Sequence, residues 1–213
     1  MCAVTARIRL ANVGYAYDGQ PALFRGLDAD LFSGQSWALT GPSGSGKSTL
    51  LGLVAGWDVP SWGAVDATGV RKTAWIFQNP HGQPHRTAID HVIYPLAAAG
   101  LSRNAASEEA ERILDMFHLA DVAPRSFSSL SGGEAQRLML ARAVATKADL
   151  LLVDEPTAQL DRAAANVVNE VLGNLAARGA IVIIATHDAQ TMSACENRLD
   201  LEQVRNRVSS PSE

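Results

Sequence analysis

The sequence predicts an α/β fold: a mostly parallel sheet covered by helices, with a side sheet near the N-terminus and a helical insert. Three observations predict it. Leu150-Leu151-Leu152-Val153 and Ala180-Ile181-Val182-Ile183-Ile184-Ala185 are unbroken apolar runs, the pattern of strands buried on both faces at the centre of a parallel sheet. Between Thr87 and Pro124 the apolar positions change to a helical period. A glycine-rich turn, Gly41 to Gly46, joins an apolar strand to a helical stretch.

In chain order, Arg7-Ile8-Arg9-Leu10 alternates and suits a strand of the side sheet, and Ser36-Trp37-Ala38-Leu39-Thr40 is the apolar strand before the turn. Leu50 to Val54 reads as helix, and Thr73-Ala74-Trp75-Ile76-Phe77 as strand. Ile89, Val92, Ile93 and Leu96 follow i, i+3, i+4, i+7, and Ala110, Ile113, Leu114 and Phe117 repeat the pattern, which gives two amphipathic helices. Loops around Asn79-Pro80 and Pro124 to Ser128 bound this insert. A helix start precedes Leu138, Ala141 and Val144. A later helix, Ala163 to Ala177, buries Val167, Val168, Val171, Leu172 and Leu175, with Gly179 as its stop. Ser209 to Glu213 is expected to fray.

A chain of 213 residues, 47% hydrophobic and 19% charged, is long enough for one or two domains with a real core. Eighteen Lys and Arg against 22 Asp and Glu give a net charge of −4, which argues against a nucleic-acid-coating or lipid-coating surface but allows a local anion site. No apolar run approaches the ~20 residues of a membrane span, and no signal-peptide pattern opens the chain, so a cytoplasmic location is expected. Cys2 and Cys195 form no C-x-x-C pair and are read as plain thiols.

Gly41-Pro42-Ser43-Gly44-Ser45-Gly46-Lys47-Ser48-Thr49 fits G-x-x-x-x-G-K-[ST] in the strand-to-helix setting that the motif requires. The glycines let consecutive N–H groups curl around phosphate oxygens at a helix N-terminus. Lys47 is then expected on the β- and γ-phosphates, and the Ser48 hydroxyl on Mg²⁺. The strand Leu150 to Val153 ends in Asp154-Glu155-Pro156. Asp154 is expected to hold Mg²⁺ through a water, and Glu155 to polarise the water that attacks in line. A kinase, a GTPase and a motor ATPase all remain open on the glycine-rich loop alone.

Leu130-Ser131-Gly132-Gly133-Glu134-Ala135-Gln136-Arg137 resembles the signature motif of ATP-binding cassette (ABC) ATPases, and the resemblance spans nearly the whole chain in family order. It implies a RecA-like P-loop NTPase core with an antiparallel β side sheet and a helical subdomain. Tyr17 looks like the residue that stacks on adenine, preferred over Tyr15; Gln78 looks like the Q-loop glutamine, a Mg²⁺ ligand able to reach the attacking water; Gln159-Leu160-Asp161 looks like the D-loop, and His187 the switch histidine. The resemblance implies head-to-tail dimers, in which Ser131, Gly132, Gly133 and Asp161 of one cassette meet ATP held by the other. Glu134 stands where many members carry Gln, and Gln159 where a small residue is common; with Ala-Gln-Arg following, Glu134 looks like the branch of lipoprotein-release, macrolide-export and cell-division cassettes.

The expectation is therefore a single ABC ATPase domain over 1–213, with residues 1–78 and 147–213 forming the nucleotide-binding core and 79–146 a helical subdomain carrying the signature. Its reaction is Mg²⁺-dependent ATP hydrolysis. Its partners are a second cassette, in a homodimer or a paired assembly, and separate transmembrane subunits that hold it at the inner face of the membrane, with no nucleic acid. The short stretch after Leu201 leans towards export. The rival is a soluble ABC protein of DNA repair or translation, and a third reading is a degenerate cassette that only binds, opposed by intact Lys47, Asp154, Glu155 and His187. His81, His85 and His91 match no standard zinc spacing and are read as a polar loop that meets a partner subunit.

Overall fold

The computed structural model describes residues 5–158 and 160–204; Cys2, Gln159 and the Ser209–Glu213 tail lie outside them. Five parallel strands form the main sheet in the order β5 (Thr73–Ile76), β6 (Leu150–Asp154), β7 (Ile181–Ala185), β3 (Ser36–Thr40), β8 (Asn197–Asp200). The two apolar runs are thus neighbours, and β7 is the middle strand. Their side chains alternate between faces, as strand geometry requires. Leu150, Leu152, Ile181 and Ile183 belong to one core cluster, and Leu151, Val153, Val182 and Ile184 to the other. An uninterrupted apolar run was needed because both faces are covered.

The first of these clusters joins the sheet to α1 (Lys47–Val54) and to a three-stranded antiparallel sheet, β2 (Ala22–Phe32), β1 (Arg7–Ala16), β4 (Trp62–Thr68). The sequence showed only the first four residues of β1. Beyond Leu10 the pairing with β2 shifts register, next to Asn12 at φ 50°, and this breaks the alternation that would mark a longer strand. Strand β2 is interrupted by Gly26 at φ 76°. Edge strand β4 buries none of its residues fully, and β8, Asn-Arg-Leu-Asp, is half charged. None of the three offers the period that sequence reading relies on.

On the other face, α2 (Ala88–Ala98), α3 (Arg103–Met116), α4 (Gly132–Thr146) and α5 (Arg162–Ala177) share one core with Ile76, Leu151 and Val153. Ala110, Ile113, Leu114 and Phe117 are all buried, as their spacing predicts. On α2, Val92 and Leu96 are buried while Ile89 and Ile93 are half-buried against the same core. On α5, Val168, Val171 and Leu172 are buried and Val167 and Leu175 only half so. Gly179 follows that helix at φ 103° and donates its N–H to the Ala176 carbonyl at 2.7 Å, the left-handed stop that a glycine supplies without strain. Strand β5 ends at Ile76, so Phe77 stands outside it and is 40% exposed.

Candidate active site

Strands β6, β7 and β3 lie side by side and parallel, so their carboxyl ends open on one edge of the sheet. The loop after β3 carries Lys47, the end of β6 carries Asp154 and Glu155, and the loop after β7 carries His187. Open parallel sheets bind ligands at this edge. These groups line one cleft of about 590 Å³, together with Tyr17, Leu23, Gly41, Pro42, Ser43, Gly44, Gly46, Ser48, Thr49 and Gln78.

The turn before α1 is shaped to hold an anion. Gly46 is the N-cap of α1 at φ 96°, and a Cβ there would stand 2.9 Å from the Phe24 ring; a side chain is excluded on both counts. Helix α1 then presents its first-turn N–H groups without intrahelical acceptors. Lys47 Nζ donates to the carbonyls of Gly41 at 2.9 Å and Pro42 at 3.2 Å, and makes no salt bridge among the described residues. An ammonium held by carbonyls alone has its charge in hand for a phosphate. Ser45 sits behind the turn. Its side chain is buried with no hydrogen-bond partner and its N–H donates to the Pro42 carbonyl at 3.2 Å, so its hydroxyl does not line the cleft.

Ser48 Oγ donates to Asp154 Oδ2 at 2.6 Å. Burial pushes the Asp154 carboxyl above its ordinary value; the Ser48 hydrogen bond and Lys47 pull it back, and the Glu155 charge pushes it further up. A hydroxyl and a half-buried carboxylate in contact are the oxygen donors that Mg²⁺ takes, and a cation there would relieve the desolvation of Asp154. The residues fit the ion.

Glu155 departs from the strand with φ 48°, a left-handed conformation costing a non-glycine residue about 1–2 kcal/mol. His187 Nδ1 donates to Glu155 Oε1 at 2.9 Å and Thr186 Oγ1 to Glu155 Oε2 at 3.4 Å. Both groups sit just past β7, the strand paired with β6 through Asp154 and Ala185. Tyr17, rather than Tyr15, lines the cleft; its hydroxyl lies 3.3 Å from Thr49 Oγ1 and its ring is 52% exposed, while Tyr15 packs edge-on behind it.

Ser131, Gly132, Gly133 and Asp161 do not line this cleft. Ser131 is the N-cap of α4 in a reciprocal pair: its hydroxyl accepts the Glu134 N–H at 3.3 Å and its own N–H donates to Glu134 Oε2 at 2.7 Å. Glu134 therefore completes a capping box, which leaves the Gly132 and Gly133 N–H groups as first-turn donors. Asp161 caps α5 by accepting the Ala164 N–H at 2.8 Å. Leu23 was missed by sequence reading because β2 was missed. His91 is also corrected: it lies buried on α2 rather than in a polar loop, and no three His, Cys, Asp or Glu side chains converge as a metal cluster among the described residues.

Comparison with known proteins adds a second line of evidence. The family model for the ABC transporter matches residues 24–158. The lipoprotein-releasing system ATP-binding protein LolD of Xylella fastidiosa is 35% identical over 215 residues, covering 92% of this chain and 90% of the relative. The macrolide export ATP-binding/permease protein MacB of Rhodopseudomonas palustris is 36% identical over 193 residues, 83% of this chain but 29% of that much longer one. Among solved structures, a dimeric ATP-binding cassette in a post-hydrolysis state with ADP and Pi has a TM-score of 0.79 at 27% identity, covering 91% of this chain and 93% of that one.

Proposed function

Since this chain belongs to the ABC transporter family of ATP-binding cassettes, and is an ATPase that works with Mg²⁺, we propose that it drives an exporter by closing head-to-tail on ATP with a second cassette. The observation that supports this best is the split between two anion-binding helix starts. Lys47, Asp154, Glu155 and His187 line one cleft, while the Ser131 turn belongs to a different helix and lies outside it. One chain holds half a site twice, and two chains facing oppositely complete both.

In this reading the backbone of Gly41, Ser43, Gly44 and Gly46 cradles the phosphates, with Ser45 bracing the turn through its N–H bond to Pro42; Lys47 and Thr49 add donors, and Tyr17 offers its exposed ring to adenine. Ser48, Asp154 and Gln78 would hold Mg²⁺, which when bound supplies positive charge against the β- and γ-phosphate oxygens. Glu155 takes a proton from the attacking water, and His187 fixes that carboxylate while reaching towards the γ-phosphate position. The partner's Ser131 hydroxyl and Gly132 and Gly133 N–H groups close over the same phosphate, with Asp161 at the seam.

The membrane partner is a separate transmembrane chain, contacted through Gln78 and residues 79–146, and the protein works at the inner face of the membrane. Among the described residues no helix is long and apolar enough to cross a membrane. Exposed aromatic side chains flank the Gln78 loop: Trp57 is 65% exposed and joined through Trp75 to Phe77, with ring centroids 4.5 Å and 5.0 Å apart. An export role follows the relatives named for lipoprotein release and macrolide export, and the match to the former over nine-tenths of both chains favours a lipid-modified cargo. A DNA-repair or translation role is not favoured.

Mixing subunits tests the composite site. Lys47→Ala and Ser131→Arg chains, each nearly inactive alone, should regain part of the ATPase activity when combined, because the heterodimer holds one undamaged site. ATP-dependent dimerisation is read alongside the rate, and a chain that stays monomeric with ATP under every condition, its partner included, would overturn the head-to-tail arrangement.

A further inference from the structure

We propose that His91 is a positioning residue that transmits the setting of the Gln78 loop to the Ser131 turn, so that one chain's own nucleotide cleft governs how it presents its signature to the partner's. The inference rests on the head-to-tail reading above. His91 is 5% exposed, and both ring nitrogens are engaged by backbone. Its Nδ1 lies 2.8 Å from the Thr87 carbonyl, one turn back on α2, and can only donate to it. Its Nε2 therefore accepts, and what it accepts is the Gln83 N–H at 2.9 Å. That second bond reaches off the helix, to the segment leading from Gln78.

The ring also packs on the far side of the connection. Its centroid is 5.4 Å from that of Phe127, and Phe127 covers Gly82 so closely that a Cβ at 82 would stand 2.5 Å from the ring. Backbone bonds run along the same seam: the Ser128 N–H donates to the Pro84 carbonyl at 3.1 Å, the Phe127 N–H to Arg86 at 2.9 Å, and the Ala88 N–H to Arg125 at 2.9 Å. Residues 84–88 and 125–128 thus form a short ribbon. The ribbon continues directly into Ser131, where the Arg125 guanidinium donates to the Ser129 carbonyl and meets Glu134 Oε1 at 3.5 Å. Glu134 is the other half of the Ser131 capping box. A displacement of Gln78 therefore pulls on Gln83, and through His91 and Phe127 on the turn that ends at Ser131. The mechanism of glutamine, metal and water does not use His91, and a buried imidazole held by two main-chain bonds has no catalytic reach.

Two substitutions separate this role from mere support. An asparagine amide reaches about as far as Nδ1, so His91→Asn keeps the Thr87 bond and loses the Gln83 bond. A glutamine amide reaches about as far as Nε2, so His91→Gln keeps the Gln83 bond instead. Each forfeits one hydrogen bond, so the melting temperatures of the two variants should fall together. Measured as ATPase rate against protein concentration at saturating ATP, His91→Asn should need about tenfold more protein for half-maximal activity, with KM for ATP within about twofold of wild type. His91→Gln should stay within about twofold on both. Equal behaviour of the two variants, or a wild-type concentration dependence in His91→Asn, overturns the inference alone. A wild-type chain whose specific activity is independent of protein concentration overturns the dimer reading and this one with it. If His91→Asn does not fold, Gly82→Ala, which displaces the Phe127 ring, should give the same shift in protein concentration with an unchanged KM, and its absence is equally decisive.

Discussion

His187 Nδ1 lies 2.9 Å from Glu155 Oε1, and of the two side chains the carboxylate is the buried one, 10% exposed against 76% for the imidazole. The histidine therefore comes to the glutamate from the open side of the cleft and orients it. A glutamine at 155 can still accept that hydrogen bond through its amide oxygen, so Glu155→Gln preserves the geometry and removes only the base. Its kcat should fall by about 10²- to 10⁴-fold with little change in KM for ATP, read as phosphate release under steady state. A near-normal kcat would remove Glu155 from the reaction.

Asp154 should oppose folding at neutral pH. Its carboxyl is raised chiefly by burial, so the folded state binds the proton more tightly than the unfolded one. Stability is accordingly lost as pH climbs from the ordinary carboxyl range through the raised value. Asp154→Asn should melt higher than wild type at pH 7 without Mg²⁺, and should lose the extra stabilisation that Mg²⁺ gives with ATP. Thermal melts with and without Mg-ATP would show both effects, and a lower melting temperature would contradict the account.

The acid limb has the opposite sign. Glu134 is held below the ordinary range first by the Ser131 N–H and hydroxyl, and Asp188 by the Thr191 N–H and hydroxyl. Burial raises Asp149, but the N–H groups of Arg71 and Lys72 outweigh it and its net shift is downward. Each contributes stability that is complete above the unfolded carboxyl pKa of about 4 and disappears as pH falls through the depressed folded values. Urea midpoints should drop steeply below about pH 4.5, and less steeply in Asp188→Asn. A flat profile between pH 5 and 3 would show that these bonds do not form.

Cys195 should be unreactive. Burial raises its thiol to about 11 and its Sγ donates to the Thr191 carbonyl at 3.4 Å, so almost no thiolate exists at neutral pH. In a Cys2→Ser background, iodoacetamide at pH 7.5 should label native protein at least about tenfold more slowly than unfolded protein, as followed by intact mass; equal rates would contradict the burial.

Residues whose chemistry is carried by local pattern were legible before any fold was known. Gly41 to Thr49 announced itself by spacing, and the run ending in Asp154-Glu155 by its unbroken hydrophobicity. Strands β2, β4 and β8 were not legible, because their pairing depends on bulges and neighbours rather than on their own period. Phe24 and Leu23, which support the phosphate turn and line its cleft, were lost with β2. His91 sat in plain view, four residues before Pro95 on α2, but its partner is a main-chain N–H at Gln83, and a backbone donor has no letter in the sequence.

The arrangement of β6, β7 and β3 as adjoining inner strands has a mechanical consequence. The groups that would act on the phosphate are mounted at the ends of strands paired on both sides, so the segments that carry them start from the part of the sheet that opens last. The exposed Ser131 turn stands instead at the end of a short ribbon outside the sheet, held by side-chain and loop bonds rather than by ladders. In a pair of such chains each nucleotide would lie between a stiff wall and a soft one, and timing could be adjusted from the soft side by single substitutions that leave the chemistry of the stiff side untouched.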